Sequence, residues 1–431
     1  MWLGAGGVAL FIATIFVARA PTSAPPQETG PRVGFDFIAF YTAGTFVREG
    51  HSRQLYDLRA TREFQHALAR RYGADIGQAY GPWWNPPFYA LLFVPLAAMH
   101  YPMALNLWVA INLLCAGISC WLLWQVLPRD APWRQRLLVP ALLALSTPFI
   151  FAISHAQSSC TSLLIAAGVV HLWRSRRALL AGLACGLMFY KPQLAMVLAV
   201  LLVCDLGWPA AAGLSIAGIV LLLVTVVALP GSLQDFLHHA PANLQFVQTQ
   251  GVYPWERHVT LKAFWRLLLQ GRHPGQTMWL VTTLSTTSAF AVGGMLVWAI
   301  LRAREMAIGT IESSARDRLI AAAITAAPLI MPFYFDYDLL LLALPVVLLA
   351  GELIEQGQAR LALPDRWLIG GWAALYVCLM LNADIAERMR LNVAVPILTI
   401  VSSLLMLRLA RSQLSSGFMH AEAGPVLLKA A

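Results

Sequence analysis

The chain is short of charge. Only 12% of its 431 residues are Asp, Glu, Lys or Arg, about half the share of an average soluble protein, which excludes an ordinary water-soluble enzyme. Lysine is almost missing: Lys191, Lys262 and Lys429 are the three present. Cysteine chemistry has little to draw on. Cys115, Cys120, Cys160, Cys185, Cys204 and Cys378 all sit in or beside apolar runs. None forms a CxxC pair, so they read as small packing residues rather than a disulfide framework or metal site. The chain has no GxxxxGK[ST], no GxGxxG, no GxSxG and no HExxH. Nucleotide-driven transport, Rossmann cofactors and common hydrolase chemistry therefore lack support. No repeat at a period of roughly 20–50 residues is visible, nor the two-half symmetry of many transporters.

What is present is apolar. Hydrophobic residues make up 59% of the chain and the mean hydropathy is +0.65, which implies an all-α polytopic membrane protein. Residues 2–18 are apolar and lack the basic flank of a signal peptide, so they read as an uncleaved first helix. Further spans are expected at 103–127, 136–153, 157–173, 178–190, 192–207, 209–229, 276–301, 318–331, 337–351, 366–382 and 391–409, which makes about twelve with the first. The segment 87–99 is apolar but short and flanked by prolines. Charge decides its placement. If it does not span, the short breaks on one side carry 15 basic residues and those on the other carry three, Lys191, Arg388 and Arg390. Basic short loops stay cytoplasmic. The segment is therefore expected to be re-entrant or interfacial within a long outward loop, 19–102. A second long loop, 230–275, faces the same way, and residues 1–431 form one membrane domain.

The outward side collects the unusual polar residues. Asp36 precedes an apolar stretch containing Tyr41, where it could cap a helix or act as a general base. The segment 58–72 reads as an amphipathic helix lying on the membrane surface. Trp84 and Asn85 fall in an aromatic boundary run that suits an interfacial belt or a sugar or lipid pocket. His155 and Gln157 share another outward break. Lys191 stands between two apolar runs, placed to snorkel to headgroups or to contact phosphate. Glu256, Arg257 and His258 crowd the second loop as a solvated turn or as a donor or acceptor contact. Asp336 and Asp338 flank Tyr337. They could hold a sugar or a metal, though no further metal ligands can be paired with them.

These residues occur in an order that resembles glycosyltransferase family 87, a GT-C group of polyprenyl-phosphate-mannose-dependent mannosyltransferases. The matching stretches are Asp36-Phe37 with Tyr41, Ala43 and Gly44; Leu55-Tyr56-Asp57; Pro86-Pro87 with Pro95-Leu96; Gln157; Lys191-Pro192; and Pro332 with the segment from Asp336 to Leu339. The resemblance implies a GT-C bundle in a bacterial inner membrane, with its site facing the periplasm. It implies inverting transfer of a sugar from a polyprenyl-phosphate carrier to an envelope lipid or glycan, with no metal, cofactor or nucleic acid. Asp36 is then expected to be the base. Lys191 is expected to neutralise the departing phosphate, joined by Arg257 and His258. Tyr41, Trp84, Asn85, His155, Gln157, Glu256, Asp336 and Asp338 are expected to bind substrate. Mannose is the family's default sugar. Asn85 and the Asp336-Tyr337-Asp338 run depart from its mannosyltransferase members and leave another hexose or a pentose open. The competing readings are a lipid or sugar transporter or flippase, and a non-catalytic protein of envelope assembly.

Overall fold

The computed structural model describes Gly34 and residues 36–250, 253–305, 313–357 and 362–422. The apolar segment 2–18 lies outside the described residues. Among those described, regular structure is helical apart from one antiparallel bridge between His258 and Phe335. Six helices are long and apolar enough to cross a membrane: Tyr101–Trp124, Trp208–Ala228, Trp279–Arg304, Asp336–Glu355, Leu363–Met389 and Ala394–Arg411. A seventh span is available if Trp133–Ala144 and Thr147–Ser154, bent by 45°, are counted together.

The remaining expected spans are too short or too charged to count as crossing helices. Ala178–Tyr190 and Pro192–Leu206 are shorter apolar helices, and 157–173 becomes the 16-residue helix Ser159–Arg174. The span 318–331 belongs to Ser313–Ile330, whose start carries Arg316, Asp317 and Arg318. Length and composition thus give six or seven spans among the described residues, where the sequence pattern suggests eleven. The short helices pack on other helices along one side and leave Leu179, Leu180, Leu187, Met196 and Val200 exposed on the other. Gly182 and Gly186 face Ala210, Gly213 and Ala217 so closely that a Cβ on either side would collide with the opposite chain. Small residues of this kind let helix backbones approach where lipid supplies no hydrophobic drive.

The 87–99 segment is too short to span. It is a 3-10 turn, Pro87–Phe93, followed by one α-turn, Val94–Ala97. Prolines at 86, 87 and 95 withhold the N–H groups that a continuous helix needs. Its buried face, with Ala90, Phe93 and Leu96, packs against the helix Phe37–Arg48. Gly44 makes that contact possible, since a Cβ there would run into the Phe93 carbonyl.

The two long polar loops lie against each other. Arg53 pairs with Asp235 at 3.1 Å, the Asn243 amide donates to the Tyr56 carbonyl at 2.7 Å, and the rings of Tyr56 and Phe236 are 5.5 Å apart. Helix Leu58–Arg71 is capped by Asp57, which accepts from the amides of Arg59 and Ala60. Its buried side packs on the protein through Thr61, Gln65 and Ala69, and Arg59, Arg62, Glu63 and Arg70 point outward.

Several helices run from this loop layer to a cluster of ion pairs at the other end of the molecule. Arg174 meets Asp317 at 2.9 Å, and Arg316 meets Asp205 at 2.7 Å. Glu352 accepts from both Arg318 and Arg408, and Arg408 also pairs with Asp365. From Ser159 at one end of its helix to Arg174 at the other is about 22 Å at 1.5 Å per residue.

Candidate active site

The site begins with a short piece of backbone pairing. Gly34 donates to the Ser154 carbonyl at 2.7 Å and Asp36 to the His155 carbonyl at 3.2 Å. Gly34 has φ +83°, a left-handed conformation that glycine adopts without the Cβ penalty. The chain then turns into the helix Phe37–Arg48 with Asp36 at its N-cap position. The Asp36 side chain makes no cap hydrogen bond. Its Oδ2 instead accepts from the Gln157 amide at 3.0 Å. Ala156 holds φ +52° between His155 and Gln157, which for a non-glycine residue costs roughly 1–2 kcal/mol. The buried Trp108 indole secures that turn by donating to the Ala156 carbonyl at 2.8 Å. The Gln157 carbonyl oxygen accepts from the Ser158 amide at 3.3 Å, which fixes the side chain with its NH2 toward Asp36.

Two ion pairs complete the cluster. Lys191 Nζ donates to Asp338 at 2.8 Å, and the Ser159 hydroxyl donates to the same oxygen at 2.8 Å. Arg257 holds Asp336 through two hydrogen bonds of 3.0 Å each, a bidentate charge-assisted pair. Both cations lie over the Tyr337 ring, Lys191 at 5.2 Å and Arg257 at 5.4 Å from its centre. The bridge between His258 and Phe335 brings the second loop here, with Val259 donating to the Tyr334 carbonyl at 2.9 Å. His155 approaches Tyr337 with ring centres 6.3 Å apart. Its Nδ1 lies 3.0 Å from the Phe151 carbonyl; a proton there leaves Nε2 as the acceptor.

Electrostatics separate the carboxylates. Asp336 and Asp338 each face a cation. Among the described residues Asp36 has no ion-pair partner and is held by a neutral amide. Burial works against the charge of Arg257, yet Asp336 more than reverses this and its pKa rises. His258 is 1% exposed, and burial together with Arg257 and Lys262 pushes its pKa down to about 3. Both of its ring nitrogens are buried without a hydrogen-bond partner. Burial raises the pKa of Glu256.

Of the residues singled out from sequence, Asp36, His155, Gln157, Lys191, Arg257, Asp336 and Asp338 come together, with His258 directly behind Arg257. Four others make their contacts elsewhere or none in the cluster. Tyr41 donates to the Met99 carbonyl at 2.8 Å. The Asn85 carbonyl accepts from Tyr56 at 2.7 Å. Glu256 faces Arg272 at 3.6 Å, and Trp84 is 37% exposed. The sequence reading passed over Ser159 as a partner of Asp338. It also passed over Tyr337, whose place between two aspartates was the available signal. Among the described residues no group of three His, Cys, Asp or Glu is placed to hold a metal ion.

The sequence model of glycosyltransferase family 87 matches residues 83–332, more than half of the chain. The match takes in His155, Gln157, Lys191 and Arg257 and leaves Asp36, Asp336 and Asp338 outside its limits. Comparison with curated proteins and with solved structures gives no match.

Proposed function

The chain belongs to glycosyltransferase family 87, and from that premise we propose that it transfers a sugar from a polyprenyl-phosphate carrier to an acceptor hydroxyl, with Asp36 as the general base. The observation that carries this reading is the inequality of the three carboxylates. Asp336 and Asp338 are occupied by Arg257 and Lys191, and Asp36 keeps an oxygen free of any cation. A base needs an oxygen open to the acceptor hydroxyl, and Asp36 offers one that no ion pair occupies.

The step is a single displacement. The acceptor O–H gives its proton to Asp36 as its oxygen bonds to the anomeric carbon. The bond from that carbon to the phosphate oxygen breaks on the opposite face, which inverts the configuration. The electron pair leaves on the carrier phosphate. Arg257, the more open of the two cations, and Lys191 stabilise that charge with the donors left over from their aspartate pairs. Aimed donors of this kind supply several kcal/mol to a transition state. Mannose is the sugar that the family suggests, an envelope lipid or glycan the acceptor, and the periplasmic side of a bacterial inner membrane the location. The 15-to-three distribution of basic residues supports that orientation.

The test uses purified protein in lipid nanodiscs, a radiolabelled polyprenyl-phosphate-mannose donor and membrane-extract acceptors. Asp36→Asn and Asp36→Ala are expected to lower transfer by about 10²–10⁴-fold while donor binding persists. Transfer at the wild-type rate by both variants removes Asp36 from the chemistry. Donor binding without transfer by wild type, across acceptors and donor sugars, argues for a non-enzymatic role.

A further inference from the structure

Behind His258, away from Asp336, lies a second group of cations that the proposed reaction does not use. Lys262 and Arg266 stand one turn apart on the helix Leu261–Gln270, on the same face of it. Both lie over one indole ring: Lys262 Nζ is 5.7 Å and the Arg266 guanidinium 5.6 Å from the centre of Trp255. Lys262 is also 5.2 Å from the centre of the Phe333 ring. Arg266 is 1% exposed. Its Nη2 donates to the His273 carbonyl at 2.8 Å, and its Nε and Nη1 are buried with no partner. The nearby nitrogens share this condition. Neither ring nitrogen of His258 has a partner, nor does the Gln248 Nε2. Lys262 has one long contact, 3.4 Å to the Gln248 carbonyl oxygen. Among the described residues neither Lys262 nor Arg266 has an acidic partner.

Two like charges against one ring repel each other, and a ring face offsets only part of the cost of shielding them from water. Among the described residues, the buried Lys191 and Arg316 and the partly buried Arg257 and Arg408 each meet a carboxylate. Here the unmet groups are nitrogens converging from the helix, from Gln248 and from His258. What satisfies convergent donors and cancels two positive charges is an oxyanion.

We propose that Lys262 and Arg266, with Gln248 and His258 at its edge, form an anion site that takes a phosphate group, separate from the Asp36 cluster. Phosphate offers several acceptor oxygens on one small anion, which fits donors arriving from three elements. It can come from the headgroup of an anionic lipid or from soluble phosphate. The proposal stands independently of the glycosyltransferase reading, because its test needs no activity.

The experiment is thermal unfolding of the full chain in nanodiscs. Wild type in phosphatidylcholine is compared with and without millimolar inorganic phosphate at fixed ionic strength, and then with discs containing phosphatidylglycerol. A ligand that binds only the folded form raises Tm, and a rise of roughly 2–5 °C is expected near saturation. A rise with inorganic phosphate identifies a soluble source; a rise with phosphatidylglycerol alone identifies a lipid headgroup. The rise is lost in Lys262→Met and in Arg266→Met and kept in Arg257→Gln. If Arg266→Met does not fold, Lys262→Met decides, because its side chain is only partly buried. No rise with either ligand overturns the proposal. So does a rise that survives Lys262→Met, or one that Arg257→Gln abolishes while Lys262→Met keeps it.

Discussion

His258 titrates against its own fold. An unfolded histidine takes a proton near pH 6.5, and in the folded chain burial beside Arg257 and Lys262, with Tyr253 stacked on its ring, delays this to about pH 3. Between those values the unfolded state binds the proton and the folded state does not. Stability is therefore present above pH 6.5 and lost as pH falls toward 3, by about 1.4 kcal/mol per unit. Thermal unfolding from pH 7.5 to 4.5 is expected to show that decline in wild type and a flatter one in His258→Phe. The variant should cost little at pH 7.5, because neither ring nitrogen loses a hydrogen bond. An identical decline in both would assign the acid sensitivity to other groups. At this scale much of the site was legible. Asp36, Lys191, Arg257 and the paired aspartates announced themselves as charge in a chain that has little. Their partnerships did not, because Gln157 reaches Asp36 across 121 positions and Ser159 reaches Asp338 across 179. Lys262 and Arg266, like charges one turn apart on an otherwise apolar helix, were a signal that the reading did not use.

Elements place those residues through close backbone contacts. The helix that carries Asp36 rests on the 3-10 segment Pro87–Phe93 at Gly44. Gly44→Val should lift the two apart and cost about 1–3 kcal/mol, as overpacking does. Because the same helix fixes Asp36, transfer per folded molecule should fall as well. Unfolding temperature and single-turnover transfer check the two parts separately, and a stable variant with unchanged transfer would show that the contact does not set the base. The break of 87–99 into short turns was legible from its length and prolines. The short spans were not. Apolar runs at 178–190 and 192–207 look alike whether they face lipid or other helices, and hydropathy cannot separate the two. The small residues at 182 and 186, which meet 210, 213 and 217 of the longer helix Trp208–Ala228, mark one packed face that hydropathy does not register.

At the scale of the whole molecule, one end holds the candidate site and the other ties the helices together through ion pairs. Glu352 receives Arg318 and Arg408 from two other helices while being itself almost buried. Glu352→Gln leaves Arg318 without a carboxylate and Arg408 with Asp365 alone, and should cost about 3 kcal/mol. Transfer per folded molecule should stay near wild type, since the ion-pair end lies about 22 Å from the site by helix length. Measuring unfolding and transfer on the same preparation checks both, and a large loss of transfer in folded protein would show that the ends are coupled. The basic half of this arrangement was visible among the 15 basic residues counted on one side of the chain's breaks. Its acidic half, Asp205, Asp317, Glu352 and Asp365, was passed over because counting Lys and Arg gives acids no weight.

The pairing of Gly34 and Asp36 with Ser154 and His155 has a consequence for inheritance. The first loop is not a cassette. Its Asp36 is held by a turn encoded more than a hundred codons downstream, so a recombination event between the two would unite a carboxylate from one ancestor with a cradle from another. Only crossovers that carry both segments, or that join parents already matched at 34–36 and 154–157, leave the carboxylate held. The two stretches hold Asp36 as one structural unit, however far apart they are written.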